Sequence, residues 1–319
     1  MRKKQGGQHM ELTVREIHKS FGAKHVLCGI SFTARSGRAF GLLGRNGSGK
    51  TTTLRIIMDI FAPDSGEVLV DGEARARSKA MISYLPEERG LYPKRGVSEQ
   101  MVYLGQLRGL DAKEAKKSAE GLLERLDATE HLGKRLDTLS KGNQQKVQLA
   151  IALMGDPDVV ILDEPFSGLD PVNAKTMKEL VSELAQRGKL IVFSSHQMAN
   201  VESFCDDICI INDGKVALTG DLAKIKRAYP RNKILLLPED GDPASLEQRL
   251  RGLDDVMKAA ADLSASKAGC TVTLNDESCK GDLFGAIARN GVGINTFTVA
   301  EPTLEEIFVE KAGDVYEAV

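Results

Sequence analysis

The chain has 319 residues, 42% of them hydrophobic and 28% charged, with a formal net charge of -2. That length exceeds what one compact core usually organises and points to two domains. The near-zero charge gives no reason to expect a nucleic-acid partner, and no apolar run approaches the roughly 20 residues needed to span a bilayer.

Residues 1–10 are polar and basic with no apolar stretch behind them, which reads as a disordered or tag-like arm and not a secretory signal. From Glu11 to about Gly72 the pattern is mostly strand, broken by turn residues at Ser36-Gly37 and at Pro63-Asp64-Ser65-Gly66. The short apolar run Ala39-Phe40-Gly41-Leu42-Leu43 predicts a buried strand. It enters the loop Gly44-Arg45-Asn46-Gly47-Ser48-Gly49-Lys50-Thr51, followed by Thr52 and an apolar face (Leu54, Ile56, Ile57, Ile60) that predicts a helix.

That loop fits the P-loop spacing, two glycines five residues apart followed by Lys-Thr. Glycines let consecutive N–H groups close on phosphate oxygens, and the following helix adds its positive end. Lys50 supplies a compact cation to the β- and γ-phosphates, and the Thr51 hydroxyl is placed to ligate Mg²⁺.

Residues from about Val97 to Met154 read as helical, punctuated by Gly109-Leu110-Asp111 and by Leu139-Ser140-Lys141-Gly142-Asn143. Two further buried strands, Val159–Leu162 and Leu190–Phe193, each end in polar residues, where open α/β sheets hold ligands. Asp163 follows the first and suits the hydration shell of Mg²⁺, while Glu164 is left to polarise an attacking water. Ile208–Asn212, Asp213-Gly214 and Lys215–Leu218 predict a hairpin with an Asp-Gly turn.

Residues 224–232 are basic, contain a proline and are read as a linker. Beyond them the expected order is strand Ile234–Leu237, helix Ser245–Leu253, strand Val256–Asp262, strand Thr271–Leu274, helix Asp282–Arg289 and strand Ile294–Val299. This is the ferredoxin-like βαββαβ order of an α+β accessory domain over 233–319. One face of its sheet would need cover, for which a second copy of the chain is the expected source. A last helix from Thr303 to Lys311 carries a capping box, Thr303 with Glu306. The five cysteines (Cys28, Cys205, Cys209, Cys270, Cys279) form no Cys-x-x-Cys pair and are expected to be reduced thiols.

Taken together, residues 11–223 resemble the ABC ATPase family. Leu139-Ser140-Lys141-Gly142-Asn143-Gln144-Gln145 is similar to its LSGGQ signature, Ser167-Gly168-Leu169-Asp170 to its D-loop, and His196 to its switch histidine. Phe21 stands where the family stacks an aromatic ring on adenine. The resemblance implies an α/β P-loop fold: a RecA-like core, an antiparallel β subdomain and a helical subdomain over about 88–157. It also implies ATP and Mg²⁺ as cofactors and ATP hydrolysis with Glu164 and His196 catalytic. Ser140, Gly142, Asn143 and Asp170 would reach nucleotide held by a second copy in a head-to-tail ATP sandwich. Two departures stand out: Glu87 replaces the glutamine that touches Mg²⁺, and Lys141 and Asn143 replace a glycine and a glutamine of the signature.

The loop Pro86–Pro93 and the tail Pro302–Phe308 look like ATP-binding subunits of ABC-2 exporters. The implied partner is a polytopic membrane permease, with the chain cytoplasmic on the inner face of the membrane. Tyr92 and Leu91 are candidates for the permease-facing loop, with packing on the helical subdomain as their other role. An importer ATPase, or a soluble ABC ATPase acting on ribosomes or DNA, are the alternatives.

Overall fold

The computed structural model describes residues 10–88 and 90–312; the N-terminal arm, apart from Met10, and Arg89 lie outside the described residues. The chain separates into two compact units. The first runs to Leu222 and takes in the chain from Phe308 onward, and the second is Ala223–Ile307.

In the first unit, strands β1 (Glu11–Phe21), β2 (Lys24–Arg35) and β3 (Ala39–Leu43) precede helix α1 (Lys50–Ile57). Strands β4 (Ser65–Val70), β5 (Glu73–Ala74) and β6 (Ile82–Leu85) follow. Helices α2 (Val97–Leu107), α3 (Ala112–Arg125) and α4 (Lys141–Leu153) form the helical part. The chain continues through β7 (Val159–Asp163), α5 (Pro171–Gln186), β8 (Leu190–Ser195), α6 (Met198–Glu202), β9 (Asp207–Asn212) and β10 (Lys215–Asp221).

Two sheets make the core of this unit. One is antiparallel, in the order β2-β1-β4-β5; the other is six-stranded, in the order β10-β9-β3-β8-β7-β6. In the second, β3, β6, β7, β8 and β9 are parallel and only β10 pairs antiparallel, on β9. Strands β3, β7 and β8 are buried along their whole length, which is why they read as continuous apolar runs instead of alternating ones. Leu12, Val14, Ile30 and Phe32 of the antiparallel sheet share one core with Leu42, Ile161 and Val192 of the parallel sheet and with Leu54 and Ile57 of α1. The Asp213-Gly214 turn joins β9 to β10 as expected, with Lys215 paired to Asn212 and positive φ at both turn residues.

The helices arise where the sequence supplies caps and an apolar stripe. Asp111 and Glu114 close a capping box on α3, with contacts of 2.7 and 3.0 Å. Asp170 caps α5, accepting from the Val172 and Asn173 amides at 3.0 Å each.

The second unit begins within α7 (Leu222–Ala228) and contains β11 (Lys233–Pro238), α8 (Pro243–Arg251), α9 (Asp254–Ala259), β12 (Ala260–Ser266), β13 (Gly269–Leu274), α10 (Lys280–Arg289) and β14 (Ile294–Ala300). Helix α11 (Leu304–Ala312) starts in it. The sheet order β12-β13-β11-β14, antiparallel throughout, is that of a ferredoxin-like sheet. Ile234, Leu236, Cys270, Val272 and Leu274 point to α8 and α10 and form the core there with Leu246, Leu250, Leu283 and Ile287.

Three expectations need correction. The stretch 224–232 is not an open linker, because α7 occupies it to Ala228 with Lys226 and Arg227 in its last turn, where cations favour a helix end. The second strand starts at Ala260 and not at Val256. Asp254 and Asp255 open a short helix there whose Val256 and Ala259 share a buried face, so the apolar spacing is helical. The last helix does not belong wholly to the second unit, which ends at Ile307. Its capping box is present, with Thr303 N donating to Glu306 Oε2 at 2.9 Å and Glu306 N to Thr303 Oγ1 at 3.2 Å.

Candidate nucleotide site

Three neighbouring parallel strands end at one edge of the six-stranded sheet and deliver three kinds of chemistry. The phosphate loop follows β3, the acidic pair closes β7, and His196 follows β8, which lies between them. The register places Asp163 beside Ser194 and Leu43 beside Ser195.

The loop between β3 and α1 is shaped by its glycines. A Cβ on Gly44 (φ 152) would lie 2.3 Å from the Ile211 carbonyl oxygen. One on Gly49 (φ 112) would lie 2.5 Å from Leu27 Cδ2. A side chain at either place would push the loop off the sheet edge. Lys50 is 6% exposed, and its Nζ donates to the carbonyls of Gly44 (2.8 Å) and Arg45 (3.2 Å). Burial pulls its pKa down, and the carboxylates of Glu164, Asp163 and Glu87 oppose that pull.

Asp163 is fully buried and accepts three hydroxyls: Ser194 Oγ at 2.5 Å, Tyr84 OH at 3.0 Å and Thr51 Oγ1 at 3.4 Å. Burial and the adjacent carboxylate hold the Tyr84 phenol far above its ordinary pKa, so it acts as a neutral donor. Glu164 is 6% exposed, with Oε1 at 2.9 Å from His196 Nδ1 and 3.9 Å from Lys50 Nζ. Beyond this close approach, neither buried atom has a hydrogen-bond partner among the described residues. Burial raises the Glu164 pKa, and the nearby His196 and Lys50 lower it in part.

Lys50, Thr51 and Glu164 open on a cavity of about 380 Å³ lined also by Phe21, Lys24, Val26, Asn46, Gly47, Gly49, Thr52 and Glu87. Phe21 is 45% exposed and meets Phe61 edge-on at 5.6 Å, a ring at the rim of the cavity. The buried Ser48 hydroxyl of the loop has no hydrogen-bond partner among the described residues.

The signature residues lie outside this cavity. Ser140 is exposed at the N-terminus of α4 and caps it, accepting from the Asn143 amide at 3.3 Å. Gly142 is buried against the start of α5, where an added Cβ would stand 2.7 Å from Asn173 Nδ2. That amide is itself bonded to Asp170. So Ser140, Gly142, Asn143 and Asp170 sit together and none of them lines the cavity of Lys50 and Thr51, while Lys141 is solvent-exposed. Sequence reasoning missed Tyr84 and Ser194. Their role depends on β6 and β8 flanking β7 in register, which no local motif announces.

Residues 27–167 match the family model described as ABC transporter, and residues 220–312 match the C-terminal domain of ATP-binding protein DrrA1-3-like. An ABC transporter ATP-binding protein of Bacillus subtilis, YhaQ, is 39% identical over 96% of this chain and 100% of its own length. This chain belongs to the ABC transporter ATP-binding proteins. Family members that align along nearly the full length include the linearmycin resistance ATP-binding protein LnrL of B. subtilis, 31% identical over 95% of this chain and 98% of that protein. The Nod factor export ATP-binding protein I of Burkholderia lata is 37% identical over 65% of this chain and 69% of that protein. A solved ATP-binding subunit of an ABC transporter superposes with a TM-score of 0.63 at 30% identity, covering 68% of this chain and 92% of that one. As an ABC ATP-binding subunit the chain binds and hydrolyses ATP. Among the described residues no helix is long and apolar enough to cross a membrane.

Proposed function

We propose that this subunit powers an ABC-2 type exporter by hydrolysing Mg-ATP at the edge formed by β3, β7 and β8. The observation that carries the reading is that Lys50, Thr51 and Glu164 line one cavity, with Asp163 3.4 Å from Thr51 and His196 2.9 Å from Glu164. The β- and γ-phosphates lie along the Gly44–Lys50 amides, with Lys50 turning from its two loop carbonyls to the phosphate oxygens. Phe21 stacks on adenine. The site also suits Mg²⁺: Thr51 and Asp163 offer hard oxygen donors 3.4 Å apart, with Glu87 across the same cavity. Mg²⁺ would neutralise charge on the phosphates. Glu164 accepts a proton from the attacking water; its raised pKa brings it closer to working pH. His196, at 2.9 Å from that carboxylate, orients it and donates toward the γ-phosphate.

Ser140, Gly142 and Asn143 form a second anion site at the start of α4, remote from the chain's own phosphate loop. They serve a second copy, closing on its γ-phosphate in a head-to-tail sandwich. Export, as opposed to import, is supported by relatives named for linearmycin resistance and Nod factor export. The partner is a membrane permease, which holds the chain at the inner face of the membrane. Tyr92, 58% exposed, borders a depression of about 310 Å³ with Arg95, Glu99, Gln100 and Tyr103, and this is the surface proposed for the permease.

The test is Glu164→Gln. Turnover is expected to fall by about 10² or more while ATP binding is kept. The variant is also expected to dimerise stably in Mg-ATP, read by sedimentation. Near-normal turnover removes Glu164 from the role of base.

A further inference from the structure

The two edges of the second unit's sheet are finished differently. At β12 the outward backbone is occupied by side chains from α8: Arg251 Nη2 donates to the Leu263 carbonyl, and the Ala265 amide donates to Glu247 Oε2 at 2.8 Å. Asp262 adds a charge on that edge, 3.7 Å from Arg251. At β14, the opposite edge, nothing comparable exists among the described residues. No side chain bonds the backbone of Ile294–Ala300, and its seven residues, Ile-Asn-Thr-Phe-Thr-Val-Ala, include no charge and no proline. Its register with β11 is unbroken from Thr296 to Ala300. The acidic residue that follows, Glu301, is already engaged by Arg231 at 3.3 Å and Lys226 at 3.7 Å. Proteins normally guard an open edge with charges, proline, a bulge or a covering element, because unpaired N–H and C=O groups recruit another strand.

We infer that β14 pairs antiparallel with β14 of a second copy, joining two four-stranded sheets into one across a two-fold axis at Phe297. The partner is a second copy because the strand is complementary to itself. Reversed about Phe297, Thr296 faces Thr298, Asn295 faces Val299 and Ile294 faces Ala300, so like side chains meet near the axis and no like charges do. Phe284 of α10, 56% exposed, stands edge-on to Phe297 at 5.4 Å, and Val299 is 36% exposed. Pairing would bring the Phe284–Phe297 pairs of both copies together and cover them. This contact needs no nucleotide, so it is separate from the ATP sandwich and stands or falls without it. It also replaces the sheet face expected to mediate dimerisation, since that face carries Thr271, Thr273, Thr296 and Thr298 beside Leu235 and Leu237 and is largely polar.

The experiment is sedimentation of the full chain in EDTA without nucleotide, at concentrations up to tens of micromolar. A dimer is expected for the wild type. Thr298→Lys on the strand and Phe284→Glu on the neighbouring helix, both at exposed positions, are each expected to weaken it by at least about tenfold. Mixed oxidation of Thr296→Cys and Thr298→Cys chains is expected to give a disulfide heterodimer absent from the wild type, since opposed Cα atoms in such a pair lie within disulfide reach. A wild type that stays monomeric overturns the inference, as does a dimer that neither charge substitution weakens.

Discussion

Glu164 occupies left-handed backbone (φ 49) and is 6% exposed, and each condition costs stability for a residue that is not glycine and that carries charge. The strand end tolerates both because the Glu164 amide is held by the Ser194 carbonyl and hydroxyl, each at 3.2 Å. The direction of its pKa shift gives a second test of Glu164→Gln, on stability instead of turnover. A carboxyl whose folded pKa is raised contributes its stability below the unfolded value and loses it as pH climbs through the folded one. Glu164→Gln has no charge to bury, so its Tm is expected above that of the wild type at pH 8. The gap should close as pH falls toward 4. Thermal melts without nucleotide across that range measure it; a gap independent of pH would mean that the carboxylate is not held at a cost.

At the scale of elements, α4 separates two roles that the sequence motif merges. Ser140 caps the helix and is not among the residues lining the cavity of Lys50, so Ser140→Ala should cost about 1 kcal/mol of stability through the lost cap. It should leave ATP affinity of the isolated chain unchanged yet reduce turnover, because in the proposed sandwich Ser140 serves the nucleotide of the second copy. Equilibrium binding of a fluorescent ATP analogue beside steady-state ATPase separates these outcomes, and a matching loss of affinity would place Ser140 in its own chain's site. Local motifs were legible wherever one segment held the whole signal: the glycine loop after β3, the acidic pair after β7, the Asp-Gly hairpin, and the capping box of α11. Two things were not. The helix Asp254–Ala259 has six residues, too short for its period to stand apart from a strand's. Tyr84 and Ser194 meet Asp163 only through the order of β6, β7 and β8, a long-range property.

For the whole molecule the question is how work leaves the ATP site. Substitution of Tyr92 by alanine should abolish transport in vesicles containing the permease while basal ATPase of the isolated subunit persists. Tyr92 is exposed and is not among the residues lining the nucleotide cavity. Loss of both would assign Tyr92 to packing on the helical subdomain, where its amide already donates to Gln100 Oε1 at 2.8 Å. The family and its ATP hydrolysis were readable from local motifs over residues 11–223. The arrangement that sets Ser140 and Asp170 apart from Lys50 needed three dimensions.

Lys50 is buried and hydrogen-bonded to its own loop through the Gly44 and Arg45 carbonyls. Burying Lys50 is part of folding the loop, so most of its desolvation does not fall on nucleotide binding. Binding exchanges two neutral carbonyl acceptors for phosphate oxygens of opposite charge, a trade that is favourable in enthalpy and asks for little new ordering of the loop. Seen kinetically, a phosphate loop already shaped by its glycines should add no slow rearrangement of the cradle to nucleotide capture.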